Sequence, residues 1–142
     1  LRDKLIELID KDAENFLPLS KTYSMSSSTE EEKKQKEEVL QSALKVACSA
    51  PVEMVECIYK SILLHEELVD ISSKLIISDV GVGVQCLKAA LNSAQLNVII
   101  NINSIKDENY VKEVKSSCEK LVKEGSEKAD EVFNKVMKVL TK

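Results

Sequence analysis

Residues 80–105 read VGVGVQCLKAALNSAQLNVIININSI, and Lys88 is their only charged side chain. Within them Val80, Val84, Leu87, Leu91, Ala94 and Val98 recur at alternating spacings of four and three. That period places them on one helical face. A helix that is apolar on every side belongs at the centre of a bundle, so this stretch predicts an all-α fold. Its tail, Val98-Ile99-Ile100-Asn101-Ile102, is rich in β-branched residues, and a short strand is the competing reading there.

The segments on either side agree. Leu1 to about Tyr23 is a predicted helix with Leu1, Leu5, Leu8, Asp12 and Phe16 on one face and Ile9 beside them; Pro18 is expected to kink or end it. The serine-rich run from Ser24 to Ser28 is a loop, and Ser28 with Glu31 forms an S-x-x-E capping box for a second helix. Pro51 suits the first turn of a third helix, ending near Asp70 to Ser73. Ser78 or Asp79 can cap the apolar helix, and Asp107 starts a last one that runs to the end. The expectation is an antiparallel bundle of about five helices, forming one domain over residues 1–142.

Composition supports this and narrows the function. Of 142 residues only 3 are Gly and 2 Pro, too few for a turn-rich β fold. The net charge of −4 and the lack of a basic stripe interleaved with aromatics argue against a nucleic-acid partner. No apolar run is long enough to span a bilayer. Cys48, Cys57, Cys86 and Cys118 include no C-x-x-C pair, and His65 is the sole histidine, so neither a metal site nor a disulfide framework is expected. Reduced, mostly buried thiols suit the cytoplasm.

Asp12 is the sharpest chemical signal. Leu8, Ile9 and Phe16 lie one turn away, so a carboxyl group falls on an apolar stripe. Desolvation there favours its protonated form and fits it to take and give a proton near neutrality. A helix cap or a cross-link to another helix is the structural alternative. Asp10 points elsewhere and is expected to be solvated. Asn97 and Asn101, four apart, share a face with Ala90 and Ala94, where two amides could read a heterocycle's edge or cross-link helices. Gly81 and Gly83 imply close approach of a ligand or a neighbouring backbone. His65, next to Glu66 and Glu67, is expected to be exposed, and the Thr29 to Glu38 charge run a solvated face.

Six segments occur in an order that carries a family resemblance. They are Ile9 to Phe16 (IDKDAENF), Thr29 to Lys33 (TEEEK), Ala50 to Glu56 (APVEMVE), Ser78 to Gly83 (SDVGVG), Leu96 to Asn101 (LNVIIN) and Ile105 to Asp107 (IKD). Together they resemble the formiminotetrahydrofolate cyclodeaminases and the related methenyltetrahydrofolate cyclohydrolases, over nearly the whole chain. The resemblance implies an all-helical dimer that binds folate in a cleft between helices. It implies that Asp12 matches the catalytic aspartate and that Asp79, Asn97 and Asn101 are folate-site residues, with no metal or other cofactor. The implied reaction converts 5-formiminotetrahydrofolate to 5,10-methenyltetrahydrofolate and ammonia. The alternatives are a methenyltetrahydrofolate cyclohydrolase and a non-catalytic folate-binding or scaffold module. Two departures stand out. The Pro-Gly-Gly-Gly-Ser loop and helical hairpin that open the family domain have no counterpart, so the chain is expected to be that domain without its first part. Leu17-Pro18-Leu19 and Ser72 to Ile77 also differ from the family's usual pattern.

Overall fold

The computed structural model describes residues 1–142 and holds four helices. They are α1 (Arg2–Tyr23), α2 (Glu30–Ile71), α3 (Ile77–Ile102) and α4 (Glu108–Leu140). The count falls one short of five because Pro51 lies inside α2 instead of starting a new helix. A proline in a helix interior removes one backbone hydrogen bond and crowds the carbonyl one turn earlier. Here Pro51 is fully buried, and Ala50 beside it packs against Leu8 of α1. Burial on both sides of the break holds α2 continuous. Pro18 likewise sits within α1 without ending it.

The helix starts differ from the expected ones by a residue or two. Thr29 and Glu32, not Ser28 and Glu31, make the reciprocal capping box of α2. At α3 neither Ser78 nor Asp79 caps: Ile76 precedes the helix and Asp79 lies within its first turn. Asp107 does cap α4, accepting from the Tyr110 amide. Residues 98–102 are helical, so the apolar packing of α3 overrides their strand propensity.

Cross-links fix the directions of the helices. Asn15 reaches Val46 and Ser49, and Lys4 and Lys11 both pair with Glu53, so α1 runs antiparallel to α2. Lys45 pairs with Asp107, Lys128 with Glu66 and Lys135 with Asp70, so α4 runs parallel to α2. Between them α3 runs antiparallel to both, with Lys88 bonded to Asp130 of α4. One main core joins Leu44, Val55 and Ile62 of α2, Val84, Leu91 and Val98 of α3, and Val122, Val132 and Val136 of α4. α1 packs only against α2, through Leu8 with Ala50 and Cys57 and through Leu19 in the main core. A groove therefore separates α1 from α3, with α2 as its floor.

Glycines set two close approaches. A Cβ on Gly81 would lie 2.9 Å from Val136 Cγ1, and one on Gly83 only 2.6 Å from His65 Nε2. Both glycines thus serve contacts with neighbouring side chains. His65 is half-buried rather than exposed, because α3 brings Gly83 against its ring and its Nδ1 lies 2.9 Å from the Ser61 carbonyl oxygen.

The thiols divide by burial. Cys48, Cys57 and Cys118 are buried and Cys86 is exposed. Burial pushes the Cys118 thiol up to about 11 and the nearby Tyr110 hydroxyl to about 12. At pH 8 only about one Cys118 in a thousand would be thiolate, the reactive form. Under native conditions a water-soluble disulfide reagent should therefore modify Cys86 alone in the fast phase. The other three should react only on unfolding, as counted by released chromophore and mass spectrometry.

Candidate functional site

The groove between α1 and α3 widens into a cavity at each end. At one end lies an apolar trough of about 640 Å³ between Leu5, Ile6 and Ile9 of α1 and Cys86 and Leu87 of α3, with His65 in its floor. At the other end is a cleft of about 430 Å³ that joins apolar walls to several polar groups. That combination marks a small-molecule site more strongly than apolar surface alone.

From its midpoint onward α1 supplies Asp12, Ala13, Phe16, Leu19 and Tyr23 to this cleft. Leu44, Ala47 and Pro51 of α2 form its floor. The end of α3 supplies Asn97, Ile100 and Asn101, and Ser104 follows in the turn. Three of the four site residues singled out in the sequence, Asp12, Asn97 and Asn101, thus meet in one cavity although 85 residues separate the first two. Asp79 does not join them. It is exposed in the first turn of α3, 18 residues before Asn97, which is about 27 Å along a helix.

Asp12 is half-buried, not fully enclosed. The expected stripe splits: Leu8 is fully buried, whereas Ile9 is 65% and Phe16 52% exposed. The reason is that α1 meets only α2, so it covers a narrower face than a helix held between two neighbours. Asp12 falls on the border and faces the cleft. No side-chain hydrogen bond or ion pair holds its carboxylate, which excludes both structural alternatives, the cap and the cross-link to another helix. Asp10, by contrast, is simply exposed.

The anchoring of α1 fixes where Asp12 points. Asn15 Nδ2 donates to the Val46 carbonyl at 3.1 Å and to Ser49 Oγ at 3.0 Å. One turn earlier Lys11, with Lys4, pairs with Glu53, and these two ammonium groups hold the Glu53 carboxyl below its usual range. Across the cleft, Asn101 Nδ2 donates to the Asn97 carbonyl at 2.9 Å. That bond leaves the Asn101 side-chain oxygen and the whole Asn97 amide for a ligand.

Sequence reasoning missed Tyr23, Ile100 and Ser104 as cleft residues. Tyr23 lies seven residues after Phe16, on the same helical face, so the α1 periodicity carried a signal for it. Ser104 carried none, because it stands beyond the helix end. Two exposed aromatic rings, an apolar floor, one unpaired carboxyl and two amides suit a flat, nitrogen-rich ring that needs a proton moved.

The comparisons with known proteins bear on the same arrangement. The formiminotransferase-cyclodeaminase family matches residues 1–120. A methenyltetrahydrofolate cyclohydrolase of Methylorubrum extorquens is 30% identical over 136 residues, 96% of this chain and 65% of the relative. A formimidoyltransferase-cyclodeaminase of Gallus gallus is 27% identical over 128 residues, 88% of this chain and 23% of that protein. The crystal structure of formiminotetrahydrofolate cyclodeaminase from Thermotoga maritima superposes with a TM-score of 0.72 at 27% identity, covering 99% of this chain and 64% of that one. The chain spans just under two thirds of the cyclohydrolase and of the solved cyclodeaminase. The family match takes in all of α1, α2 and α3, and with them every residue of the cleft, so this chain belongs to the formiminotransferase-cyclodeaminase family.

Proposed function

We propose that the cleft binds a tetrahydrofolate derivative and converts 5-formiminotetrahydrofolate to 5,10-methenyltetrahydrofolate with release of ammonia. The observation that carries this is the convergence of Asp12, Asn97 and Asn101 on one cavity. Asn97 and Asn101 would read the polar edge of the bicyclic ring, and Phe16 and Tyr23 would flank its faces. Asp79 takes no part in this cleft.

The chemistry needs two proton movements. N10 attacks the formimino carbon, the N10–C bond forms, and N10 gives up its proton. The formimino nitrogen, which enters protonated as an amidinium, gains that one further proton, the C–N bond breaks and it leaves as ammonia, the positive charge staying on the methenyl product. Asp12 would take the N10 proton and pass it to the departing nitrogen. A ring laid over Ala13 and Phe16 would shut water away from this half-buried carboxyl, and holding N10 against the carbon supplies the proximity contribution. Neither step calls on a metal or a further cofactor.

A cyclohydrolase is the second reading, favoured by the name of the Methylorubrum extorquens relative. There water attacks the methenyl carbon in the same cleft and Asp12 takes the water's proton; the carbon–N5 bond then breaks as N5 takes up the remaining hydroxyl proton, leaving 10-formyltetrahydrofolate and one released proton. Because methenyltetrahydrofolate absorbs in the near ultraviolet, supplying each substrate separately to the full chain separates the readings. Absorbance should grow with formiminotetrahydrofolate; if it instead falls with methenyltetrahydrofolate, the protein is the cyclohydrolase. Binding without either change would leave a non-catalytic folate-binding module, and no binding would reject the folate reading. We also propose a homodimer, supported by the exposed apolar side chains Ile6, Ile9, Leu64 and Leu68 along the groove between α1 and α3. A cytoplasmic location fits four thiols that form no disulfide.

A further inference from the structure

α1 packs against α2 alone, and only two of its apolar side chains, Leu8 and Leu19, are buried. At about 100° per residue these two lie within about 20° of one line down the helix. A seam that narrow sets the spacing of the two helices and leaves the roll of α1 about its own axis to other contacts. Measured from Leu8, the cleft residues Asp12, Phe16 and Tyr23 stand about 40–80° to one side of the seam. Lys4, Lys11 and Asn15 stand about 20–60° to the other side, and all three are tied to α2.

Two of those three ties end on one side chain. Lys4 Nζ lies 3.1 Å from Glu53 Oε2, and Lys11, the residue before Asp12, bonds to Oε1. Every other carboxylate of an ion pair in the bundle meets a single lysine. Lys4 and Lys11 are about 10 Å apart along the axis, so one carboxylate grips α1 over two turns. Ion pairs this open to water add little to global stability; what these two fix is orientation. Side-chain tips lie about 5–6 Å from a helix axis, so a roll of about 10° would carry the Asp12 carboxyl about 1 Å. A displacement of that size can cost a reaction about 100-fold.

We propose that Glu53 is a positioning residue for the cleft: by holding Lys4 and Lys11 on the far side of the seam, it sets the roll of α1 and so the reach of Asp12 to a ligand between α1 and α3. Glu53 itself lines neither cavity of the groove. The inference rests on the folate reading and on Asp12 as the proton shuttle. Proton transfer needs its heavy atoms within about 2.6–3.2 Å. Apolar contact of a ring with Phe16 and Tyr23 is non-directional and tolerates a small roll. Loss of Glu53 is therefore felt in kcat more than in binding.

The test uses the full chain and whichever folate the wild type converts. Glu53→Gln should lower kcat about tenfold, with Asn15 still holding α1, while affinity for 5-formyltetrahydrofolate, a stable analogue of the substrate, changes less than about threefold. Its melting temperature should stay close to that of the wild type. The decisive variant carries two changes. Because Glu53 acts through Asp12, adding Glu53→Gln to Asp12→Asn should make no further difference to the residual rate. Asp130→Asn breaks the pair with Lys88 between α3 and α4 and should leave kcat within about twofold. The proposal is overturned if Glu53→Gln keeps the wild-type kcat, if the two effects multiply in the double variant, or if Asp130→Asn lowers kcat as much. If the wild type converts neither formiminotetrahydrofolate nor methenyltetrahydrofolate, it is the folate reading that fails, and the role of Glu53 is refuted with it.

Discussion

Asp12→Asn is expected to lower turnover about 10³-fold, in the range that a positioned acid–base group contributes, while 5-formyltetrahydrofolate still binds. Asparagine keeps the shape of the side chain and loses the ability to shuttle a proton. The carboxylate makes no ion pair or side-chain hydrogen bond within the chain, so its removal leaves no partner stranded. The change in stability should therefore stay within about 0.5 kcal/mol, as for other substitutions away from buried networks. Asp10→Asn is the matched control, because Asp10 is exposed, belongs to the same helix and lies outside the cleft. Steady-state rates, equilibrium titration and unfolding midpoints on the two variants separate chemistry from binding and from folding. If Asp12→Asn turned over substrate at the wild-type rate, the proton would have to travel through another group and the proposed mechanism would fail.

The physical route by which Asp12 came to notice also explains what the sequence could not show. A polar residue at an apolar period marks a boundary between covered and uncovered surface, and Asp12 lies on that boundary. Periodicity cannot say how wide the covered face is. That depends on how many helices pack against α1, and only α2 does, so Ile9 and Phe16 emerge while Leu8 is fully buried. The asparagine pair was legible because Asn97 and Asn101 are spaced to share a face wherever α3 is packed. That Asp12 and the pair meet is a property of the bundle: α1 and α3 lie on the same side of α2, both antiparallel to it, a relation no local pattern encodes. The unbroken course of α2 through Pro51 was hidden for a related reason. Local chemistry favours a break there, and the burial that outweighs it comes from residues far along the chain. His65 shows the same limit, since its partial burial is set by Gly83 on another helix.

The place of α3 in the bundle can be tested through Leu91 and Gly125, which meet where α3 crosses α4. Leu91 is fully buried, and a Cβ on Gly125 would lie 2.7 Å from its Cδ2 and 3.2 Å from Tyr59 Cδ2. Leu91→Ala should cost about 3 kcal/mol of stability, as buried leucines do when the surrounding helices cannot collapse into the space. Gly125→Ala alone should cost about 1 kcal/mol: overpacking against Leu91 exceeds the helix propensity gained by replacing glycine. In the Leu91→Ala background the clash with Cδ2 is gone. The new methyl group then enters the vacated space, and Gly125→Ala should stabilise by about 1 kcal/mol. The two substitutions are thus coupled by about 2 kcal/mol, within the range for residues in direct contact. Denaturant unfolding of the four proteins measures that coupling. Because α3 carries Asn97 and Asn101 only two to three turns beyond Leu91, the single Leu91→Ala variant should also raise KM for the folate substrate, and adding Gly125→Ala should bring it back down. Additive energies would mean that Leu91 and Gly125 do not share this contact, and that something other than close packing of α3 on α4 holds the asparagine pair at the cleft.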